Sequence, residues 1–287
     1  MTLLQYLQQH YTVGTSASYE RDINLFLSSY PSASQATYSD LMGHIGVLRH
    51  RYRNSHTLNR IVSSIKVYYD YLCYTGERLD HPGRNIRLRD RRSRDIQLQD
   101  LFSSRELEVL LERKERYPLL SLRNKVLMSL LIYQGLTVSE LAGLVVTDVL
   151  LEKGVVYIKR TAVTNRRELP LKPDQIGWLG IYLSAVRPGL LGGLESEILL
   201  IGQRGKGMVA SDISKHVKRS YKGLYRGREV SAQRIRQSVI ANLFIQGCDI
   251  GVVQQFAGHK YPSSTERYRQ DDVYRLQSAI ELYHPIR

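Results

Sequence analysis

Between Ser55 and Gly76 the apolar residues Leu58, Ile61, Ile65, Tyr68 and Leu72 recur at intervals of 3, 4, 3 and 4 residues. That spacing lays one apolar stripe along an α-helix, and Gly76 supplies its stop. Weaker versions of the same signal precede it. Thr2 is placed to cap a short first helix, Ser16 or Ser18 to cap a second that stops before Pro31, and Tyr38 to Leu48 suggest a third. Together these predict a small helical bundle.

From residue 77 the period fades. The stretch GERLDHPGRNIRLRDRRSRD holds many arginines and no apolar repeat, which predicts an extended interdomain linker. The pattern resumes at Ser103-x-x-Glu106, a capping box ahead of LEVLLERKERY. A helix follows from Leu122 to Gln134, closed by Gly135, and a short one from Ser139 to Leu144. Val155-Val156-Tyr157-Ile158 and Leu169-Pro170-Leu171 then flank polar and basic residues, as a β-hairpin would. Ile198 to Ile201 is a further strand candidate, and from Ser211 the chain is helical again. The expectation is a mainly α protein: a helical domain at 1–86, an Arg-rich linker at 87–102, and an α-rich domain with a small β-sheet at 103–287.

Charge adds a partner to this outline. Lys and Arg number 41 against 27 Asp and Glu in 287 residues, a formal charge of +14, which favours a polyanion. Arg60 and Lys66 stand off the apolar stripe; with Arg87, Arg89, Arg91 and Arg92 they are the candidate contacts to a DNA backbone, solvated surface charge being the alternative. Cys73 and Cys248 lie in apolar helical patterns and read as core residues in a reducing compartment. No His, Cys or carboxylate set has metal-ligand spacing, so no metal is expected. The start, MTLLQYLQQHY, lacks a basic n-region, and no apolar run reaches about 18 residues. A cytoplasmic protein without a membrane span is therefore expected. No helix-turn-helix or zinc-finger pattern stands out.

The candidate chemistry lies near the C-terminus. Arg236 precedes Gly258-His259 by 23 residues, and Tyr268 follows the histidine by 9. An arginine to neutralise a phosphodiester, an imidazole to donate to it and a phenol to attack it are the parts that covalent phosphotransfer needs. Each has a plain alternative: a surface Arg, a core His, or one packed Tyr among 20.

Four segments resemble, in order and spacing, the C-terminal pattern of the tyrosine recombinase (phage integrase) family: Gln233-Arg234-Ile235-Arg236, Gly247-Cys248-Asp249-Ile250, Ala257-Gly258-His259 and Thr265-Glu266-Arg267-Tyr268. Tyr133 to Leu141 resembles the segment bearing that family's first catalytic Arg. The hairpin ending in Leu169-Pro170-Leu171 resembles the one bearing its Lys, and SHTLNRIVSSIKVYYDYL is similar to its core-binding domain. The resemblance implies the tyrosine recombinase fold, a SAM-like core-binding bundle plus a catalytic domain. It also implies site-specific recombination through a 3′-phosphotyrosine on Tyr268, with no cofactor. Double-stranded recombination sites would be the partner. A homo-tetramer would exchange strands through a Holliday junction, with the tail from Val273 to Tyr283 docking on a neighbouring subunit or on its own domain. An integrase or transposase of a mobile element, nucleoid-associated, is the expected setting.

Two positions depart from the family pattern: Thr137 replaces its first Arg and Gln233 replaces the His before Arg236. A hydroxyl offers one donor and no charge. Either a hairpin arginine fills the gap, Arg160 before Arg166 or Arg167, or catalysis is slow or lost. Gln233 can position a phosphate or Tyr268 but cannot act as a base. Lys159 is the candidate to protonate the departing 5′-oxygen, with Arg160, Arg166 and Arg167 competing. Glu140 either braces the basic residues by ion pairing or is a simple helix-start acid. A non-catalytic DNA-binding protein of the same fold and a type IB-like topoisomerase are the rival functions.

Overall fold

The structure is a computed structural model that describes residues 1–52, 54–88, 100–115 and 117–269. The chain divides into two compact units, Met1–Arg94 and Asp95–Arg287. The expected linker residues Arg89, Arg91 and Arg92 and the tail from Val273 lie outside the described residues.

The first unit holds α1 (Leu3–His10), α2 (Val13–Ser29), α3 (Tyr38–Arg51) and α4 (Ser55–Thr75). Thr2 caps α1 as expected, with Gln5 completing a capping box. The second helix starts earlier than Ser16 or Ser18 suggests, because Thr12 accepts the Thr15 N–H. Ser16 is buried inside that helix instead, its hydroxyl donating to the Leu7 carbonyl. The stripe on α4 is the core face: Leu58, Ile61, Ile65, Tyr68 and Leu72 are all buried, against Leu7, Ile23, Phe26, Leu41 and Ile45. Gly76 ends α4 at φ 77°, a left-handed conformation open to glycine at little cost.

The charges beside that stripe have partners within the bundle. Arg60 pairs with Asp22 of α2. The Lys66 ammonium donates to the carbonyls of Ile86 at 2.5 Å and Arg84 at 3.3 Å, tying the segment after α4 back onto the helix. Both side chains therefore have partners within the bundle. Arg87 is exposed.

The second unit begins with the Ser103–Glu106 capping box and α5 (Ser104–Val109). Next come α6 (Pro118–Tyr133) and α7 (Val138–Gly143). Val126, Leu127, Met128, Leu130 and Leu131 of α6 are no more than 1% exposed, so from Val126 to Ile132 this helix is buried all round and shows no one-sided pattern. It starts four residues before the sequence pattern suggests, with Pro118 at its first position. The sheet runs β1 (Val149–Leu150), β2 (Val155–Ile158) and β3 (Arg167–Pro170), all antiparallel in that order. Ile158 pairs with Arg167, so the hairpin extends two residues further than Leu169 implies. Ile198–Ile201 stays outside the sheet; it makes isolated bridges with Val145 and Gly207. The remaining helices are α8 (Pro173–Ile181), α9 (Arg187–Leu191), α10 (Ala210–Ser220), α11 (Ala232–Ile245), α12 (Ile250–Ala257) and α13 (Pro262–Glu266). A mainly α chain with one small sheet is thus what forms. Among the described residues no helix is long and apolar enough to cross a membrane.

Candidate active site

The site is assembled on a buried carboxylate. Thr137 is the N-cap of α7, and Glu140, three residues on, completes its capping box. Glu140 Oε2 accepts from the Thr137 backbone N–H at 2.9 Å and hydroxyl at 3.1 Å. Its Oε1 accepts from the Thr164 hydroxyl at 2.7 Å. Arg167 closes on both oxygens as a fork, Nη1 at 2.6 Å and Nη2 at 3.2 Å. Arg236 Nη1 lies 3.8 Å from Oε2. Burial pushes the Glu140 carboxyl up, but the bonds and charge of Arg167, with Thr137 and Thr164, outweigh it and hold the group below the usual carboxylate range.

Arg236, buried on α11, donates to the Gly135 carbonyl through Nη1 and to the Ala257 carbonyl through Nη2, both at 2.6 Å. Its guanidinium therefore ties the ends of α6 and α12 together. Gly258 follows Ala257 at φ 68°, and a Cβ there would sit 2.5 Å from Arg167 Nη1. Only glycine allows both that turn and the passage of Arg167 beneath it. The hairpin loop is joined to the same turn: the Asn165 N–H donates to the Gly258 carbonyl at 2.8 Å, Thr164 bridges His259, and Lys260 Nζ donates to the Ala162 carbonyl at 2.6 Å.

His259 is set by this turn, with Nδ1 2.8 Å from the Thr265 hydroxyl. Burial, and then the Arg236 and Arg167 charges, pull its pKa down to about 4, so the ring is neutral at pH 7. Tyr268 is half-buried against Ile240, Val253, Ala257, Leu243, Phe244 and Cys248 of its own unit. Its ring lies near-parallel to that of His259, 6.0 Å between centroids and 18° between planes. Burial raises the phenol pKa, while the charges of Arg236 and Arg267 and a hydrogen bond from Gln237 act in the other direction. In the buried cluster the guanidiniums of Arg236 and Arg167, the Glu140 carboxylate and a neutral imidazole leave one positive charge in excess, and Arg267 adds its charge beside the phenol. An enclosed surplus of that sign suits an anion.

Arg236, His259, Tyr268, Glu140 and Thr137 are thus brought together. Lys159 is not: its ammonium is 3.2 Å from Asp148 Oδ1 and its side chain is 56% exposed. Arg160 and Arg166 are exposed, and Arg167 holds the interior place that the sequence assigned first to Arg160. Strand alternation explains the choice, since Arg167 and Leu169 face inward while Glu168 and Pro170 face out. Gln233 is exposed on the first turn of α11, and Gln237, one turn further on, is the glutamine near enough to Tyr268 to act on its phenol. Thr164 was absent from the sequence reading, Thr265 entered it only as the first residue of Thr265-Glu266-Arg267-Tyr268 with no role of its own, and Gln237 was absent. The spacing of three between Thr265 and Tyr268, one helical turn, was the signal available for the second.

The chain is similar to known proteins in sequence and in fold. Residues 101–275 match the phage integrase family. The chain is 30% identical to the tyrosine recombinase XerD of Pseudomonas aeruginosa over 226 residues, 79% of this chain and 74% of that one. It is 28% identical to the XerD of Oceanobacillus iheyensis over 278 residues, 94% and 92% of the two chains. Among solved structures, the Tn1549 transposon integrase in complex with transposon right end DNA has a TM-score of 0.71 at 17% identity, covering 99% of both chains. A lambda integrase dimer bound to a COC′ core site has a TM-score of 0.68 at 16% identity, covering 93% of this chain and 94% of that one. At such identities the structural likeness concerns the fold, and the sequence matches carry the family. With its match spanning more than half of the sequence, the chain belongs to the phage integrase family, the tyrosine recombinases.

Proposed function

We propose that this recombinase cuts and rejoins duplex DNA at specific sites through a covalent bond between Tyr268 and a 3′-phosphate. The phenol loses its proton as its oxygen attacks phosphorus, the bond to the 5′-oxygen breaks, and that oxygen leaves with the electron pair and takes up a proton, so that no net proton is gained or lost. The phosphotyrosine conserves the bond energy, so a returning 5′-hydroxyl reseals the strand without a further energy source. What supports this reading is the gathering of Tyr268, His259 and Arg236 in one cluster with an uncancelled positive charge. In the reaction Arg236 would neutralise the non-bridging oxygens and His259 would donate to one of them. Arg167 would act through Glu140, holding it where it orients Arg236. Gln237, donating to the phenol oxygen, would favour its ionised form.

Lys159 remains the proposed donor to the 5′-oxygen, released from Asp148 when DNA binds. Its test is chemical. Lys159→Ala is expected to lose about 100-fold in cleavage of ordinary DNA and to recover on a substrate with sulfur at the 5′ bridging position, because a thiolate leaves without a proton. Equal loss on both substrates would remove Lys159 from that role.

The partner is proposed to be a pair of recombination sites held by four subunits, with strands exchanged pairwise through a Holliday junction, in the setting of a mobile element. The helical first unit and the Arg-rich stretch at 87–102 would follow the DNA backbone, and the tail from Val273 would couple neighbouring subunits. A second reading, a DNA-binding protein with little or no cleavage, is favoured by Thr137 and by the exposure of Gln233. The two separate on a nicked duplex carrying the site selected by the protein from random sequence. An enzyme forms a covalent adduct on it, and a binding module does not.

A further inference from the structure

Thr265 is fully buried in α13, three residues before Tyr268. It reaches both functional residues, the side chain of one and the backbone of the other. Its carbonyl accepts the Tyr268 backbone N–H at 3.0 Å, and its hydroxyl lies 2.8 Å from Nδ1 of His259. A buried hydroxyl has to deliver its proton to an acceptor. Among the described residues the recorded partner of this hydroxyl is Nδ1. A ring nitrogen that accepts carries no proton, so a neutral ring in this position must hold its hydrogen on Nε2.

Neutrality of the ring follows from its surroundings. Arg236 on α11 and Arg167 on β3 face it, with Arg267 at the end of α13, and Glu140 on α7 opposes them only in part. A charged ring could donate from both nitrogens, and its tautomer would not matter. A neutral ring can donate from one alone, and which one depends on what the other nitrogen meets.

We infer that Thr265 is a positioning residue for the reaction proposed above: by donating to Nδ1 it fixes His259 as the Nε2–H tautomer, so that the imidazole offers a donor rather than a lone pair to the scissile phosphate. The opposite tautomer would set a lone pair against an anionic oxygen and turn an attraction into a repulsion. The backbone contact adds a second consequence. The same residue that sets the proton on the ring holds the turn that carries the phenol, so the donor and the nucleophile are registered to one another. The consequence for catalysis rests on the cleavage reading, whereas the position of the proton does not.

Two measurements on the full chain separate these. The first is a long-range proton–nitrogen correlation spectrum of the ring nitrogens in protein labelled at histidine with nitrogen-15, at pH 7. The wild-type His259 ring is expected to be protonated at Nε2, and Thr265→Val to shift it toward a mixture of tautomers. The second is the single-turnover rate of adduct formation on the nicked duplex. Thr265→Val is expected to lose at least about 10-fold in that rate at unchanged DNA affinity, while Thr265→Ser, which keeps the hydroxyl, regains most of it. A wild-type ring protonated at Nδ1 overturns the inference. So does a valine variant that folds and cuts at the wild-type rate, or a serine variant as slow as the valine one. If the valine variant does not fold, the wild-type spectrum and the serine rate decide. Absence of any adduct in the wild type overturns the cleavage reading, and the ring spectrum still decides where the proton lies.

Discussion

Glu140 accounts for more of the site than any other single side chain. It is fully buried, caps its own helix, accepts from two threonines and receives the fork of Arg167, while Arg236 stands 3.8 Å off. Its charge is offset once by Arg167, which leaves Arg236 in surplus for a ligand. A buried carboxylate so fully bonded is costly to remove, because both guanidiniums would then lie in low dielectric without a counter-charge. Glu140→Ala is therefore expected to lose about 3–5 kcal/mol of unfolding free energy, read from the urea midpoint at constant slope. A loss below about 1 kcal/mol, the range of exposed pairs, would mean that the carboxylate is not the anchor described. Thr137 gains a definite place at this scale. Its hydroxyl and N–H are spent on Glu140, so it contributes to the bracing of the cluster and brings no positive charge of its own.

Among the elements, the β2–β3 hairpin decides which basic residues reach the site. Its loop is joined to the Gly258–Lys260 turn by the Asn165 N–H, by the Thr164–His259 bridge and by the Lys260 ammonium on the Ala162 carbonyl. Lys260→Met removes the last of these. Amide exchange over residues 161–165 is then expected to speed up, with global stability falling by no more than about 1–3 kcal/mol; unchanged exchange there would show that the lysine does not hold the loop. The hairpin also marks how far the sequence could be read. The α4 stripe, the Gly76 stop, the Ser103 capping box and the pairing of Val155–Ile158 with the strand before Leu171 were all legible, because each depends on local periodicity or capping. The inward turn of Arg167 was not, since it depends on the strand beginning at 167 rather than 169, and a charged residue at a strand start carries no apolar signal. The early start of α6 was hidden for a different reason: its first turn leaves Leu119 48% exposed while Val126 to Ile132 are buried all round, so no single apolar stripe runs from its first residue. That Tyr268, His259 and Arg236 would come together was legible through the resemblance of their spacing to that of the family. Gln237 and Thr265 were not, because their roles arise from the packing of α11 against the α12–α13 corner.

For the whole molecule, acid stability and covalent chemistry are the properties to measure. In the second unit His216 and His259 are both held neutral, each by burial first and then by neighbouring arginines, with pKa values of about 4. In the unfolded chain a histidine titrates near 6.5. Between those values the unfolded state binds more protons, so stability rises with pH. The contribution is complete above about pH 6.5 and is lost as pH falls toward 4. The melting temperature of this unit is expected to decline from pH 7 to pH 5, and His216→Gln to flatten the decline, as followed by calorimetry; a flat wild-type profile would contradict the burial assigned to both rings. The central claim concerns the phenol. The measurement that reaches it most directly is trapping on a nicked duplex bearing the selected site, followed by mapping of the modified residue by mass spectrometry. The expected product is a DNA-linked protein joined through Tyr268 to a 3′-phosphate with a free 5′-hydroxyl released, and Tyr268→Phe is expected to give none. A linkage to any other residue, or an equal yield from the phenylalanine variant, would contradict that claim.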